Sequence, residues 1–249
     1  GLNREFFVNE YLSGQAVLAS SPIPPGNWAF NDSLMNVDYD PDNAADLLSE
    51  SGWALPESDV EGINDNSGLQ RDGQELKFQL LVPNDDLSVV LGEIAVEDWG
   101  RLGINAVLQT MESDILKEEH LDTREFQAIM IDVSLQRTPD PDPYPFWHQT
   151  EIESGQNYSG YDNRTISEYL EQARTTPSIS ARSSLYHMFQ KRFVDDTPAL
   201  LVYHPVYSYV TNKVVNGVQM GPIIEPSDRF NGIANWYIVI KRVVGRLTN

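Results

Sequence analysis

Residues 75–111 read ELKFQLLVPNDDLSVVLGEIAVEDWGRLGINAVLQTM, and this stretch decides the fold. Residues 75–83 form a short apolar run that ends in proline, which predicts a buried strand. Residues 85–103 repeat apolar side chains at helical spacing and end in glycine, which predicts an amphipathic helix. The apolar side of this helix is formed by Val89, Val90, Ile94, Val96 and Trp99. Residues 104–111 alternate like a second strand, so the order strand, helix, strand with short loops predicts a parallel βαβ unit.

Patterns on both sides of this unit extend the alternation of helices and strands. A helix is expected to begin at Pro41 behind the cap residue Asp40 and to end at Gly52. Residues 54–75 are polar and have no periodicity, so they are expected to form an exposed insertion. The other predicted helices are 3–13, 113–121, 165–175 and 179–196, and the other predicted strands are 125–133 and the apolar region 199–212. The chain therefore has an α/β pattern.

One segment does not fit either periodicity. Residues 138–148 read TPDPDPYPFWH and contain four alternating prolines, and we call them the proline segment. Each proline lacks an N–H group and disfavours the α region for the residue before it, so a helix is not expected here. A central strand is excluded for the same reason. The segment therefore predicts a stiff, extended backbone that carries carboxylates and large aromatic rings.

The composition excludes several classes of function. The chain has 249 residues, with 17 basic and 37 acidic side chains, which gives a formal charge of −20. Such a surface repels nucleic acids and anionic membranes. The absence of cysteine excludes disulfides, thiolate metal sites and a cysteine nucleophile. No apolar run approaches the roughly 20 residues that a membrane-spanning helix needs.

Asp140 and Asp142 are the residues that most resemble a catalytic pair, since two carboxylates can act as acid and base. Aspartate before proline is also a common turn residue, so a structural role is the alternative. The four histidines have no metal-binding spacing, and no cofactor or metal site is predicted. His148 follows Trp147 directly and could hydrogen-bond a ligand or cap the local backbone.

Aromatic residues in predicted loops are the other candidates for a site. They are Trp28, Tyr144, Phe146, Trp147, Tyr158 and Tyr161. Aromatic side chains with few rotatable bonds make good walls for a ligand. They can equally cover the ends of strands, and the sequence does not decide between these two roles.

Eight segments in a fixed order carry a resemblance to a known family. The first three are NREFFVNEYLSGQAV, PIPPGNWAF and YDPDNAADLLSESGW, and the series continues through the βαβ unit, DPDPYPFWH, NYSGYDNRTISEYLEQART and ALLVYHPVYSYVTNKVVNGVQ. In this order they resemble the C-terminal half of family 5 solute-binding proteins, the peptide-, nickel- and oligosaccharide-binding receptors of ABC importers. The resemblance covers nearly all residues from 3 to about 238.

The resemblance implies an α/β fold of the periplasmic-binding-protein type II class. Its lobe would have a central, mostly parallel sheet flanked by helices, with a C-terminal tail that returns to a missing first lobe. Residues 1–200 would form the second ligand-binding lobe. Residues 201–249 would form the hinge crossover and a tail that belongs to the first lobe. Such lobes close on a ligand by hinge motion.

The resemblance also implies that the proline segment lines the cleft between the lobes, where a preset backbone lowers the entropy lost on binding. The expected ligand-binding residues are Trp28, Arg137, Asp140, Asp142, Tyr144, Trp147, His148 and Tyr158. Peptide-binding members carry an aspartate for the peptide amine at the position of Arg137. A cation there argues against ordinary free-amine peptides and is compatible with a ligand that bears a carboxylate, a phosphate or a sugar.

We therefore expect a receptor that captures a small solute, such as a peptide or an oligosaccharide, and presents it to the membrane subunits of an ABC permease. It would not be an enzyme, would need no cofactor, would bind no nucleic acid, and would be periplasmic or extracellular and membrane-associated in its full-length form. The alternatives are a carbohydrate- or peptide-acting hydrolase that uses Asp140 or Asp142, and an interaction module without a small ligand.

Overall fold

A computed structural model describes residues 1–56, 68–135, 140–221 and 226–240 of the chain. Its α-helices are α1 (Arg4–Leu12), α2 (Pro41–Glu50), α3 (Asp86–Arg101), α4 (Ser113–Ile115), α5 (Tyr144–Trp147), α6 (Arg164–Thr175) and α7 (Ile179–Asp196). Its strands are β1 (Ala16–Leu18), β2 (Gln70–Arg71), β3 (Gln74–Glu75), β4 (Lys77–Pro83), β5 (Asn105–Met111), β6 (Ala128–Ile129), β7 (Tyr203–Pro205), β8 (Val215–Asn216) and β9 (Tyr237–Ile238). Among these residues, no helix is long and apolar enough to cross a membrane.

The centre of the fold is a three-stranded parallel sheet in the order β5–β4–β6. Leu80 of β4 lies opposite Leu108 of β5 on one side and Ala128 of β6 on the other. The strand–helix–strand prediction is therefore confirmed, because β4, α3 and β5 follow one another and the two strands are parallel.

Local sequence fixes where α3 begins and how it packs. The Asp85 side chain accepts a hydrogen bond from the backbone N–H of Ser88 at 3.0 Å, as an N-cap residue does. The buried side of α3 is centred on Leu91 and Ala95, which pack against Leu80 and Val82 of the sheet. The buried side of α3 is therefore turned slightly away from the predicted apolar side, because Val89 and Val96 lie only at the margins of the buried side.

The third predicted strand, 125–133, is much shorter in the structure, where β6 has two residues. At one end, the backbone N–H of Gln79 bonds to the side-chain oxygen of Gln127 at 2.8 Å instead of to a main-chain carbonyl. At the other end, β4 finishes at Pro83, which has no N–H to donate. The parallel ladder therefore stops after the backbone bond from Met130 to Leu81.

A second apolar core forms beside the sheet, where α6 and α7 pack together as a helical hairpin. Its largest buried members are Ile23, Phe146, Trp147, Ile166, Leu170, Tyr186, Phe189 and Phe193. Asn163 caps α6 through a bond from the N–H of Ile166, and Ser178 caps α7 through a bond from the N–H of Ala181. The described part of the proline segment, residues 140–148, packs against this hairpin.

The remaining strands form small antiparallel pairs. β1 pairs with β7, β2 with β3, and β8 with β9. The long strand predicted over 199–212 is reduced to three residues, because its partner β1 has only three residues. The polar insertion predicted over 54–75 falls partly outside the described residues, and its described end forms the β2–β3 hairpin.

The division of the chain at residue 200 stays a prediction. The first residues after that boundary join the main body, since Tyr203 lies opposite Leu18 in the β1–β7 pair. Beyond them the chain leaves many apolar side chains exposed. They include Val206, Tyr207, Val210, Val214, Tyr237, Val239 and Ile240.

Candidate ligand-binding site

The described part of the proline segment runs from residue 140 to residue 148, between the end of β6 and the start of α6. In open parallel sheets, ligands bind beyond the carboxyl ends of the strands, which is where this segment follows β6 along the chain. Residues 136–139 lie outside the described residues, so the expectation about Arg137 stays a prediction.

The expectation that this segment contains no helix was wrong over four residues. Residues Tyr144–Trp147 form one α-helical turn, α5, which begins behind Pro143. Pro145 is tolerated because it lies in the first turn, where a backbone N–H has no partner within the helix. The turn places Phe146 and Trp147 inside the core and leaves Tyr144 half-buried at the surface.

Asp142 forms an ion pair with the last turn of α6. Its two carboxylate oxygens accept hydrogen bonds from Arg174 Nε at 2.8 Å and from Arg174 Nη2 at 2.7 Å. The backbone of Asp142 has a φ of 25°, in the left-handed region that a non-glycine residue seldom adopts. The two-point ion pair holds the carboxylate against α6 in spite of this backbone geometry.

Asp140 is paired with α7. One of its oxygens accepts a hydrogen bond from the Tyr186 hydroxyl at 2.8 Å, and the other lies 3.0 Å from Arg182 Nη1. Burial of the Tyr186 ring, together with its bond to Asp140, raises the pKa of the phenol well above its usual value. The phenol therefore keeps its proton and donates a hydrogen bond to the carboxylate.

Tyr144 lies between two partners. Its ring stacks on the His148 ring with centroids 3.9 Å apart and planes 11° apart, and the Arg174 guanidinium carbon lies 3.7 Å from the ring centre. Two groups cannot occupy the same space above one face of the ring. His148 and Arg174 therefore cover opposite faces of Tyr144.

His148 is almost fully buried and its hydrogen bonds define its tautomer. Its Nδ1 accepts the backbone N–H of Thr150 at 3.1 Å, so the proton of the neutral ring is on Nε2, which donates to Glu171 at 3.0 Å. This bond lowers the pKa of the Glu171 carboxyl below its usual range. The Asn157 amide also donates to the His148 carbonyl at 3.1 Å. His148 is thus a structural residue that supports Tyr144 from behind.

The other candidate rings differ in accessibility. Trp147 is 6% exposed and meets the edge of Phe193 with ring centres 4.6 Å apart, so it belongs to the core and does not line a surface. Trp28 is half-buried, beside Tyr186 and below Arg182, whose guanidinium carbon is 5.1 Å from its ring. Tyr158 is also half-buried, with Arg124 at 4.5 Å from its ring.

The structure therefore changes the expected wall of exposed rings. Of the predicted site residues, Trp147 and His148 are packed inside, so a ligand could reach them only by displacing their neighbours, and their contact with a ligand stays a prediction. The half-buried ones are Trp28, Asp140, Asp142, Tyr144 and Tyr158. Direct contact of these five with a ligand stays a prediction.

Sequence reasoning missed the partners of the two aspartates. Arg174, Arg182 and Tyr186 come from α6 and α7, which lie 32 to 46 residues further along the chain. A signal was present, since acidic side chains outnumber basic ones by 37 to 17 and an arginine is expected to lie close to carboxylates. The spacing along the chain gave no indication of which arginines pair with Asp140 and Asp142.

A separate cavity of about 330 Å³ lies between the first residues of the chain and the end of α7. Its lining includes Leu2, Arg4, Val37, Phe193 and Leu201. The buried Arg4 guanidinium donates to the carbonyls of Ala19, Leu201 and Val37 at 3.1, 2.6 and 2.7 Å, and its burial lowers its pKa. Residues 140–148, the described part of the proline segment, do not line this cavity. Within the described residues, no group of three or more carboxylate or histidine side chains is arranged to hold a metal ion.

Comparison with known proteins identifies the family. The sequence profile of bacterial extracellular solute-binding proteins, family 5 Middle, matches residues 1–155, a span that contains the βαβ unit and the proline segment. The chain belongs to this family. The family 5 assignment made from the order of sequence segments is thereby confirmed. It is a family of solute-binding proteins, and the hydrolase alternative finds no support in it.

Individual relatives agree with the family 5 assignment. The dipeptide-binding protein of Escherichia coli (strain K12) is 26% identical over 234 residues, which cover 89% of this chain and 39% of that protein. The oligopeptide-binding protein AppA from Bacillus subtilis, solved with a nonapeptide, has a TM-score of 0.74 at 22% identity, and NikZ from Campylobacter jejuni, solved with Ni(L-His), has a TM-score of 0.70 at 20% identity.

These structural matches confirm the fold expected for family 5. They cover 96% of this chain and 46% of AppA, and 94% of this chain and 46% of NikZ. The chain thus spans less than half the length of the relatives that it matches.

Proposed function

We propose that this chain is a ligand-binding lobe of a receptor that captures a small solute and delivers it to an ABC importer. The observation that carries the proposal is the family match over residues 1–155, which includes the strand order that ends in the proline segment. The segment is held rigidly by the α6–α7 hairpin, so little conformational entropy is lost when a solute rests on it.

The ligand surface of this receptor is formed by the half-buried residues around the proline segment. Trp28, Tyr144 and Tyr158 offer ring edges and two hydroxyl groups there. Asp140 and Asp142 are already paired with arginines, so they contribute fixed polar edges to this surface. A second lobe would supply the opposing surface of the cleft, and this chain alone would bind the solute weakly.

The class of solute follows from the relatives only in part. Their names include dipeptide-binding, nickel-binding and heme-binding proteins, so the shared feature is a small solute. Arg137 favours an anionic or sugar-bearing solute over a free-amine peptide. The receptor would work outside the cytoplasmic membrane, in the periplasm or at the cell surface, and its partners would be the membrane subunits of the permease.

The test is a thermal-shift screen of the full-length product of this gene against peptides, oligosaccharides, nickel complexes and heme. A solute present at 100 times its Kd stabilises the folded state by about 2.7 kcal/mol, which gives a clear rise in Tm. Mass spectrometry of solutes that co-purify with the protein provides an independent identification.

Two variants separate a real site from a general effect. Trp28→Ala is expected to reduce the ligand-induced rise in Tm. Trp53→Ala is its matched control, because Trp53 is also half-buried and lies beside an arginine, Arg71, but is remote in sequence from the proline segment. If no solute raises Tm and none co-purifies, the receptor proposal is wrong and an interaction module without a small ligand takes its place.

A further inference from the structure

Tyr144 and Asp142 together have the composition of a cation site. An aromatic face attracts an ammonium or guanidinium group through its quadrupole, and a neighbouring carboxylate adds a charged hydrogen-bond acceptor. In this structure the position is filled by the chain itself. The Arg174 guanidinium lies 3.7 Å from the centre of the Tyr144 ring and makes two hydrogen bonds, of 2.8 and 2.7 Å, to Asp142.

Residues other than Arg174 help to hold Tyr144 and Asp142 in place. His148 stacks on the opposite face of Tyr144 and is itself held by Glu171 and Thr150, so the ring cannot turn away. Pro141 and Pro143 flank Asp142 and are both buried, so they restrict its backbone. The ring therefore keeps its support when the cation is removed, and the two prolines limit how far the Asp142 carboxylate can move.

The site is accessible to a small molecule. The side chains of Arg174 and Asp142 are 41% and 33% exposed, so the cation lies at the surface and is not sealed in the core. Arg174 is in the last turn of α6, where an alanine is compatible with the helix. Removing its guanidinium would leave a surface recess with an aromatic floor and a carboxylate side.

We propose that Tyr144 and Asp142 form a cation-binding subsite that Arg174 keeps closed, so that Arg174 determines specificity by excluding ammonium and guanidinium groups of solutes from the proline segment. The subsite itself is a property of this chain alone, and its role in selecting solutes rests on the proposed receptor function. Opening the subsite leaves the Tyr144 ring and the Asp142 carboxylate available to a cation from solution.

The experiment is a titration of the 249-residue chain with methylguanidinium chloride, followed by NMR and by thermal shift. The Arg174→Ala variant is expected to bind methylguanidinium about tenfold more tightly than the original chain, as expected for one exposed cation–π contact added to an ion pair. Resonances of Tyr144 and His148 should shift during this titration, because the ligand lies against the same ring stack.

Three controls make the result specific. Arg174→Ala/Asp142→Asn keeps the ring and removes the charge, so its affinity should return to that of the original chain. Arg192→Ala removes an arginine that pairs with Asp196 at 2.9 Å with no aromatic face against it among the described residues, so it should gain little affinity. Arg174→Gln repeats the opening with a side chain closer in size.

The proposal is overturned if Arg174→Ala and Arg174→Gln both fold, as judged by circular dichroism, and neither binds methylguanidinium more tightly than Arg192→Ala does. It is also overturned if binding survives Asp142→Asn in the double variant. The outcome is separable from that of the receptor proposal. If the full-length product binds no solute, the receptor proposal is contradicted and the methylguanidinium titration still tests the subsite. If the titration is negative, the subsite proposal is contradicted and the receptor proposal is unaffected.

Discussion

Two glycines in the same helix are expected to respond in opposite ways to alanine. Gly92 of α3 is buried against the sheet, and a Cβ added there would lie 2.6 Å from Leu108 Cδ1 and 3.3 Å from Val82 Cγ1. Gly100 lies in the same helix near its end, and a Cβ added there meets nothing within 4 Å. Both residues have ordinary helical backbones, so only the space around them differs.

The magnitudes follow from these distances. Alanine in place of an exposed helical glycine stabilises by about 0.5–1 kcal/mol, and Gly100→Ala should gain most of this. At Gly92 the same gain is opposed by overpacking, which costs about 1–3 kcal/mol. Leu108 can move its terminal carbon, but Val82 is fully buried in the central strand and its branched side chain is stiff. Gly92→Ala should therefore destabilise by about 1 kcal/mol net.

Thermal unfolding followed by circular dichroism measures the difference. For a chain of this size, 1 kcal/mol corresponds to about 2–4 °C in Tm, so Gly100→Ala should raise Tm and Gly92→Ala should lower it. Leu108→Ala removes the closest contact of the added methyl group. The loss in Tm caused by Gly92→Ala should therefore be smaller when both proteins carry Leu108→Ala than when both carry Leu108. Equal increases in Tm for the two single variants would show that α3 does not lie as close to β4 and β5 as the structure has it.

Three other expectations concern pH, the second core and the exposed tail. Burial lowers the pKa of His204 below its ordinary value of 6.5, so below pH 6.5 the unfolded chain gains a proton before the folded chain does, and stability should fall as the pH is lowered through this range. His204→Gln should make the free energy of urea unfolding depend less steeply on pH over this range. Phe193→Ala removes a fully buried ring and should cost about 3–5 kcal/mol in urea unfolding, whereas Phe6→Ala on the half-exposed side of α1 should cost much less. Val210 is 89% exposed in an apolar tail, so sedimentation should show self-association of this chain that Val210→Asp weakens, and a clean monomer at high concentration would contradict this expectation.

The parts of the fold that the sequence predicted are those that local chemistry controls. Asp40, which accepts the N–H of Asn43 at 2.9 Å, and Asp85 both cap helices within three residues of themselves. The βαβ unit has strong periodicity and short loops, so its elements and their parallel order were predicted correctly. A capping residue and its partner lie within one turn, and a pattern read along the chain contains both.

The errors lie where pairing depends on a distant partner. The length of β6 is limited by Pro83 of β4 and by the side chain of Gln127, which accepts a hydrogen bond from Gln79 of β4. The run 125–133 contains Gln127 but does not show which residues of β4 it meets. The turn at Tyr144–Trp147 forms because the core between α6 and α7 accepts Phe146 and Trp147. Neighbouring prolines disfavour a helix, but burying two large aromatic rings offsets that preference over a single turn.

The same distinction governs the candidate site. Sequence reasoning assigned the stiffness of the proline segment to its prolines and weighed a catalytic role for its aspartates against a structural one. The structure adds the partners that the sequence did not show, because both aspartates are paired with arginines of α6 and α7. The segment is anchored to the α6–α7 hairpin by two carboxylates, Asp140 and Asp142, and by two buried rings, Phe146 and Trp147. Its rigidity therefore depends on this hairpin as much as on its own backbone. A solute that rests on this segment therefore depends on α6 and α7, and changes at Arg174 or Arg182 should alter solute binding even though neither residue belongs to the segment itself.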